Sequence, residues 1–212
     1  MAPKYVVEHM EDGMHEWCQL EYKHMLSRIG ADNLYFSGLT ETTLETMPED
    51  LKKAHCHSTD VLSLPGITLD QVCLLDPAAK EPLAPEDADR FTYFLFGGIL
   101  GDDPPRDRTG ELRKLGFANR HLGPVQMTTD TAVNVTRTVL EDKVPLDQIP
   151  YIDHPEIKFS KKESVIMPFR YIAVDKQVIH TPTGERRTVQ KPLMPPGMFE
   201  LLKKDNEASF EF

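Results

Sequence analysis

Two glycine-broken stretches put polar, chemistry-bearing side chains beside backbone that can approach a ligand closely. The first runs Phe96-Gly97-Gly98-Ile99-Leu100-Gly101-Asp102-Asp103; the second runs Leu122-Gly123-Pro124-Val125-Gln126-Met127-Thr128-Thr129-Asp130-Thr131-Ala132. Each follows a short strand-like run and leads into a helix signal, which is how strand-end loops of an open α/β sheet assemble a ligand site. They read as two loops of one site. The fingerprints GxGxxG, the P-loop, GxSxG and HExxH are all missing, so dinucleotide, P-loop, serine-hydrolase and zincin chemistry lack their usual marks. His55-Cys56-His57 has no second ligand cluster and reads as a solvated loop rather than a zinc site.

The chain has 212 residues, 40% of them apolar, enough for one domain with a substantial core. Acidic residues outnumber basic ones by 34 to 24, for a formal charge of −10. That balance argues against a duplex-binding protein, whose affinity comes from neutralising phosphates. It suits a basic partner such as an arginine-rich protein surface, although solubility alone also explains it. Three cysteines without paired spacing imply a reducing compartment and no disulfide framework. Met1-Ala2-Pro3-Lys4 lacks an apolar signal core and no run is long enough to span a membrane, so a cytoplasmic protein is expected. The sequon Asn134-Val135-Thr136 falls inside an expected helix and is discounted.

The elements that must position these loops follow from periodicity. Tyr5-Val6-Val7, Asn33–Phe36, Gln71–Leu75, Thr92–Phe96 and Asn119–Leu122 read as strands. Helices are expected over Met14–Ile29, with Trp17, Leu20, Met25, Leu26 and Ile29 inward, around Glu49–Lys53, from Pro104-Pro105 to Leu115, and over Asp130–Asp142. Strands alternating with helices predict an α/β fold with a mostly parallel sheet. Residues 37–70 carry weak signals and resemble a variable surface region. After Lys143 the chain turns proline-broken and extended. A strand is expected over Pro168–Val174, a hairpin over Val178–Gln190 around Thr183-Gly184, and a last short helix after Pro196-Gly197. The expected organisation is a core over 1–142 and an extension over 143–212 packed on it.

At the two loops the chain resembles SPOUT-class methyltransferases. Leu122-Gly123-Pro124 and Thr129-Asp130-Thr131-Ala132 match one loop of that class, Phe96 to Gly101 the preceding glycine-rich loop, and Leu74-Leu75-Asp76-Pro77 the first. The resemblance tightens for the SPOUT protein-arginine methyltransferases of fungi and related lineages. It is carried by Val7-Glu8-His9-Met10-Glu11, Val72 to Pro77, Phe96 to Arg108, Gln126 to Ala132 and Met167-Pro168-Phe169-Arg170-Tyr171, in order along the whole chain. The chain departs mainly at 37–70 and 178–191. The resemblance implies a C-terminal trefoil knot, S-adenosyl-L-methionine as cofactor, methylation of an arginine in a small-subunit ribosomal protein, and a monomer.

It further implies a cofactor site made by Leu75, Asp76, Pro77, Phe96, Gly97, Gly98, Ile99, Leu100, Gly101, Leu122, Gly123, Gln126, Met127, Thr128, Thr129 and Thr131, with Leu122, Met127, Leu100 and Ile99 walling the adenine. Because guanidinium stays charged near neutral pH, a carboxylate must hold and orient it. Glu8, Asp102 and Asp130 are the catalytic candidates. Glu8, just past the first strand, ranks first. Asp130 reads more readily as a helix cap, and Asp102 as either a cap before Pro104 or a substrate contact. Trp17 reads as core more readily than as a cation–π partner, and Arg106 and Arg108 as loop supports pairing with Asp103 or Asp107. An RNA methyltransferase, or a catalytically silent binding module, is the alternative.

Overall fold

The computed structural model describes residues 2–99, 107, 109–180 and 186–208. Along the first two thirds run β1 (Lys4–His9), α1 (Glu16–Ile29), β2 (Leu34–Ser37), α2 (Glu41–Thr46), β3 (His55–Cys56), β4 (Val72–Leu75), α3 (Asp87–Arg90), β5 (Tyr93–Gly98), α4 (Gly110–Arg113), β6 (Ala118–Arg120) and α5 (Thr129–Leu140). The strands form one six-stranded sheet in the order β3-β2-β1-β5-β4-β6. Every pairing in it is parallel. This is the expected α/β architecture.

Parallel strands must be covered on both faces, and the near-continuous apolar runs follow from that. Alternate residues go to opposite sides. Tyr5 and Val7 of β1 join Tyr22 and Met25 of α1, Phe36, Phe94, Phe96, and Val133 and Val139 of α5 on one face. Val6 joins Leu74, Leu95, Val61, Leu64, Leu112 and Phe117 on the other. The sheet's central pair, β1 and β5, runs in register from Lys4↔Tyr93 to His9↔Gly98.

Several local expectations change. His55-Cys56 is not a loop but the two-residue edge strand β3, paired with Tyr35-Phe36. The expected helix at 49–53 is only a 3-10 turn, Leu51–Lys53, and the true helix of that region is α2. There Thr40 caps, its hydroxyl accepting the Thr43 amide at 3.1 Å. The helix expected to reach Leu115 is, within the described residues, the four-residue α4, and its expected start at Pro104-Pro105 lies outside them. β5 continues through both glycines at 97–98 instead of ending before them.

The extension carries β7 (Tyr151–Asp153), β8 (Glu156–Lys158), β9 (Ser164–Ile166), β10 (Arg170–His180), β11 (Arg186–Pro192) and α6 (Met198–Ala208). β11, β10 and β7 make an antiparallel sheet, and β8 and β9 a hairpin. β10 and β11 pair as the expected hairpin, whose Thr183-Gly184 tip lies outside the described residues. Met167, Phe169 and Tyr171 pack with Trp17 of α1 and Leu202 of α6, which fastens the extension to the core. It also touches a loop of the sheet directly: the Arg170 amide donates to the Gln126 carbonyl at 2.8 Å.

Candidate active site

A cavity of about 220 Å³ opens where β4 and β5 end and the chain enters α5. Leu75, Asp76 and Pro77 form one wall, Phe96, Gly97 and Ile99 the floor, and Leu122, Gly123, Gln126, Met127, Thr128 and Thr129 the opposite side. Strand ends at a change of strand order are where open α/β sheets bind ligands. The three expected loops are thus brought together. Thr109, Pro124, Val125 and Ala132 also line the cavity, beyond the residues the motifs point to. Leu100, Gly101 and Asp102 lie outside the described residues.

Two expected cavity residues do other work. Gly98 is absent from the lining; a Cβ there would sit 2.6 Å from the Tyr22 hydroxyl and 2.8 Å from Val7. Its missing side chain admits Tyr22, not a ligand. That hydroxyl bonds His9 Nδ1 at 2.9 Å, while His9 Nε2 donates to the Gly13 carbonyl at 3.1 Å, so β1, the loop after it and α1 are locked together. Thr131 is likewise off the wall: its amide donates to Thr128 Oγ1 at 3.2 Å.

That bond also corrects the expected cap. Thr128, with extended φ and ψ, is the N-cap of α5, and Asp130 sits inside the first turn. Thr129 Oγ1 lies 3.2 Å from the Gly97 carbonyl and ties the helix start to the cavity floor. At Gly123 the backbone takes φ +106°, a conformation costly for any other residue. The cavity presents apolar planes from Leu75, Ile99, Leu122 and Met127, threonine hydroxyls and open backbone.

Asp76 is the one titratable residue in that lining among the described residues. It is 1% exposed and accepts Arg113 Nε at 2.6 Å and Nη2 at 2.7 Å. Burial would push its carboxyl up, but the Arg113 bonds outweigh that and hold it below the usual carboxylate range. Asp107 pairs with Arg113 too; Asp103, Arg106 and Arg108, the other members of the expected loop pairs, lie outside the described residues.

Glu8 stands at the C-terminal edge of the sheet, in register with Ser37 of β2 and with the cavity residue Gly97 of β5. Neighbours in parallel register face the same way, so its side chain leaves the sheet on the face where a Cβ at position 97 would meet Ile99 and Met10, beside the cavity rather than in its lining. Its Oε2 accepts the Ser37 hydroxyl and the Val61 amide, the latter at 3.1 Å. Gly38, at φ +69°, gives it room: a Cβ there would lie 2.8 Å from Oε1. Burial raises the Glu8 carboxyl, partly offset by these two bonds.

On the opposite face lies a second acidic group. Asp130, 1% exposed, bonds His24 Nδ1 at 2.8 Å and Asn134 Nδ2 at 3.1 Å. Its own amide points to Glu21 Oε2 at 3.4 Å. Burial, then the Asp130 charge, push the Glu21 carboxyl up to about 8, against bonds from Thr128 and the Trp17 indole. Burial raises Asp130 as well. Trp17 is half-buried in the third apolar cluster, the expected core role, with Glu21 as its polar partner. Glu21 and His24 carry no signal in the sequence, because a helix period is visible only in its apolar residues. The buried Asn134, bonded to Asp130, explains why its sequon is not a usable acceptor in the fold.

This geometry has counterparts among known proteins. The family model for the SFM1-like protein arginine N-methyltransferases matches residues 4–209. Protein arginine N-methyltransferase SFM1 of Saccharomyces cerevisiae is 44% identical over 223 residues, covering 98% of each chain. The crystal structure of the yeast arginine methyltransferase SFM1 complexed with SAM superposes with a TM-score of 0.84 at 43% identity, covering 98% of this chain and 92% of that one. Dual specific Trm10 from Thermococcus kodakaraensis, at 18% identity and a TM-score of 0.55, covers 69% of this chain and 96% of its own, and shares the fold.

Proposed function

The chain belongs to the SFM1-like protein arginine N-methyltransferases, and from that membership we propose that it methylates an arginine of a small-subunit ribosomal protein, using S-adenosylmethionine. The observation that carries this reading is the glycine-opened cavity at the ends of β4 and β5, whose one titratable lining residue among the described residues, Asp76, is already paired with Arg113. Its apolar planes suit an adenine, its threonine hydroxyls and main chain a ribose and an amino-acid tail. When bound, the cofactor supplies a sulfonium methyl group for in-line displacement, a reaction that gains most from orientation.

The protein's own contribution is to deliver the acceptor. Glu8 is the carboxylate assigned to the guanidinium: it lies beside Gly97 and, among the described residues, is held by neutral donors. A bidentate carboxylate would fix one guanidinium nitrogen toward the cavity and take up the proton released on transfer. Asp130 is assigned a supporting role behind Thr128, since its oxygens are engaged with His24 and Asn134. Asp102, outside the described residues, keeps its place as a candidate substrate contact. The excess of negative charge favours a basic protein over a nucleic acid.

The same reading includes a C-terminal trefoil knot, residues 1–142 as methyltransferase core with 143–212 as its extension, and a cytoplasmic monomer. Among the described residues no helix is long and apolar enough to cross a membrane. The test is incubation of a ribosomal protein fraction with methyl-labelled cofactor, followed by mass spectrometry. Label on an arginine of a small-subunit protein is expected. Label in RNA that survives protease, or cofactor binding with no labelled component, overturns the assignment.

A further inference from the structure

A carboxylate in a cofactor cavity invites the reading that it grips the ligand. Asp76 has no capacity left to do so. Oδ2 accepts Arg113 Nε at 2.6 Å and Asn119 Nδ2 at 3.2 Å; Oδ1 accepts Arg113 Nη2 at 2.7 Å and the Ala78 amide at 2.9 Å. Four donors on two oxygens use all the sites a carboxylate offers. Arg113 turns its remaining edge to Asp107, with Nη1 at 2.8 Å and Nη2 at 3.0 Å. One guanidinium therefore holds two separate stretches of chain. The first is the cavity wall Leu75–Pro77; the second leads, two residues past Asp107, to the wall residue Thr109.

We propose that Arg113 is a positioning residue of the cofactor cavity, setting the distance between these two walls, and that Asp76 is its anchor rather than a ligand-binding carboxylate. The inference rests on the cavity being the cofactor site. Only a planar fork with several fixed N–H groups can serve both aspartates at once; the ammonium of lysine carries its charge at a point and cannot. The two halves of the clamp also differ in energetic weight. The Asp76 side chain is 0% exposed, so that half bears on folding, whereas Asp107 is 63% exposed and its half adds little stability. Cutting the outer half therefore separates positioning from folding.

The experiment measures calorimetric affinity for S-adenosylhomocysteine, KM and kcat, and the thermal midpoint for the parent, Asp107→Asn, Arg113→Lys and Asp76→Asn. Asp107→Asn and Arg113→Lys are each expected to weaken affinity by roughly ten-fold, the loss of one charge-assisted pair. KM for the cofactor should rise by a larger factor than kcat falls, and the midpoint of Asp107→Asn should move by no more than about 2 °C. Parental affinity in both variants overturns the proposal, whatever the midpoints do. So does a loss of affinity in Asp76→Asn alone, which would make Asp76 the ligand contact. A parent that fails to bind S-adenosylhomocysteine removes the cofactor reading and the inference together; a binding parent with unaffected variants removes the inference alone.

Discussion

Glu8 and the Glu21–Asp130 pair are both buried acids, on opposite faces of the same sheet, and their surroundings set them to different tasks. Among the described residues Glu8 accepts a hydroxyl and an amide and forms no ion pair. Asp130 has a histidine and an amide side chain of its own, and Glu21 beside it is raised by burial and by the Asp130 charge. An acid held by neutral donors keeps charge to offer an incoming cation. One already matched by a histidine is complete without a substrate. Residue type alone does not separate them; their bonding partners do.

The sharpest way to break this contrast is Glu8→Gln. Methyl transfer should fall by roughly 10²-fold or more, since the variant keeps shape but loses the charge that holds and deprotonates the acceptor. Cofactor affinity, read by calorimetry, should stay within a few-fold; equal losses in both would move Glu8 out of its role. Asp130→Ala is expected to show the reverse profile. Leaving the buried His24 ring without its hydrogen-bond partner should cost roughly 2 kcal/mol in urea denaturation, while the folded fraction still turns over. Loss of turnover at full folding would place Asp130 on the reacting atoms.

Glu21 provides a subtler test through pH. Its folded carboxyl is raised to about 8 from the ordinary value of 4.5. A raised acid stabilises the fold fully below its unfolded value, and that contribution is lost as pH rises through the folded one. The thermal midpoint of the parent should therefore decline from pH 5 to pH 9 more steeply than that of Glu21→Gln, whose side chain stays neutral; parallel curves would refute the burial of a titrating Glu21. The smallest effect is expected from Thr128→Ala. Loss of the α5 cap should cost about 1 kcal/mol, or a few degrees in midpoint, and an unchanged midpoint would mean the cap lies elsewhere.

The sheet is readable from the chain because its strands are apolar runs bounded by Gly, Pro and Asp, and fully buried strands must look that way. The cavity loops are readable too, since close backbone approach leaves glycine and threonine in a fixed order. What stays hidden depends on distant partners. Nothing local distinguishes Thr128 from Asp130 as the cap, for both are good capping residues; the choice is made by His24, 106 residues away, which claims the aspartate. Arg113 meets Asp76 across 37 residues, and no spacing rule joins a four-residue helix to the end of β4. Gly98 misleads for a related reason: a glycine marks a close approach but not what approaches, and here it is Tyr22.

The hydrogen bond from the Arg170 amide to the Gln126 carbonyl, with the Met127↔Arg170 bridge beside it, bears on the order in which the molecule is made. Chains emerge from synthesis N-terminus first and fold by parts. All six strands of the central sheet are complete by residue 120, yet the loop that closes the cavity gains its brace only with residue 170. A nascent chain can thus build its sheet well before it can hold a cofactor, and a truncation after α5 should yield a sheet with an unfinished cavity.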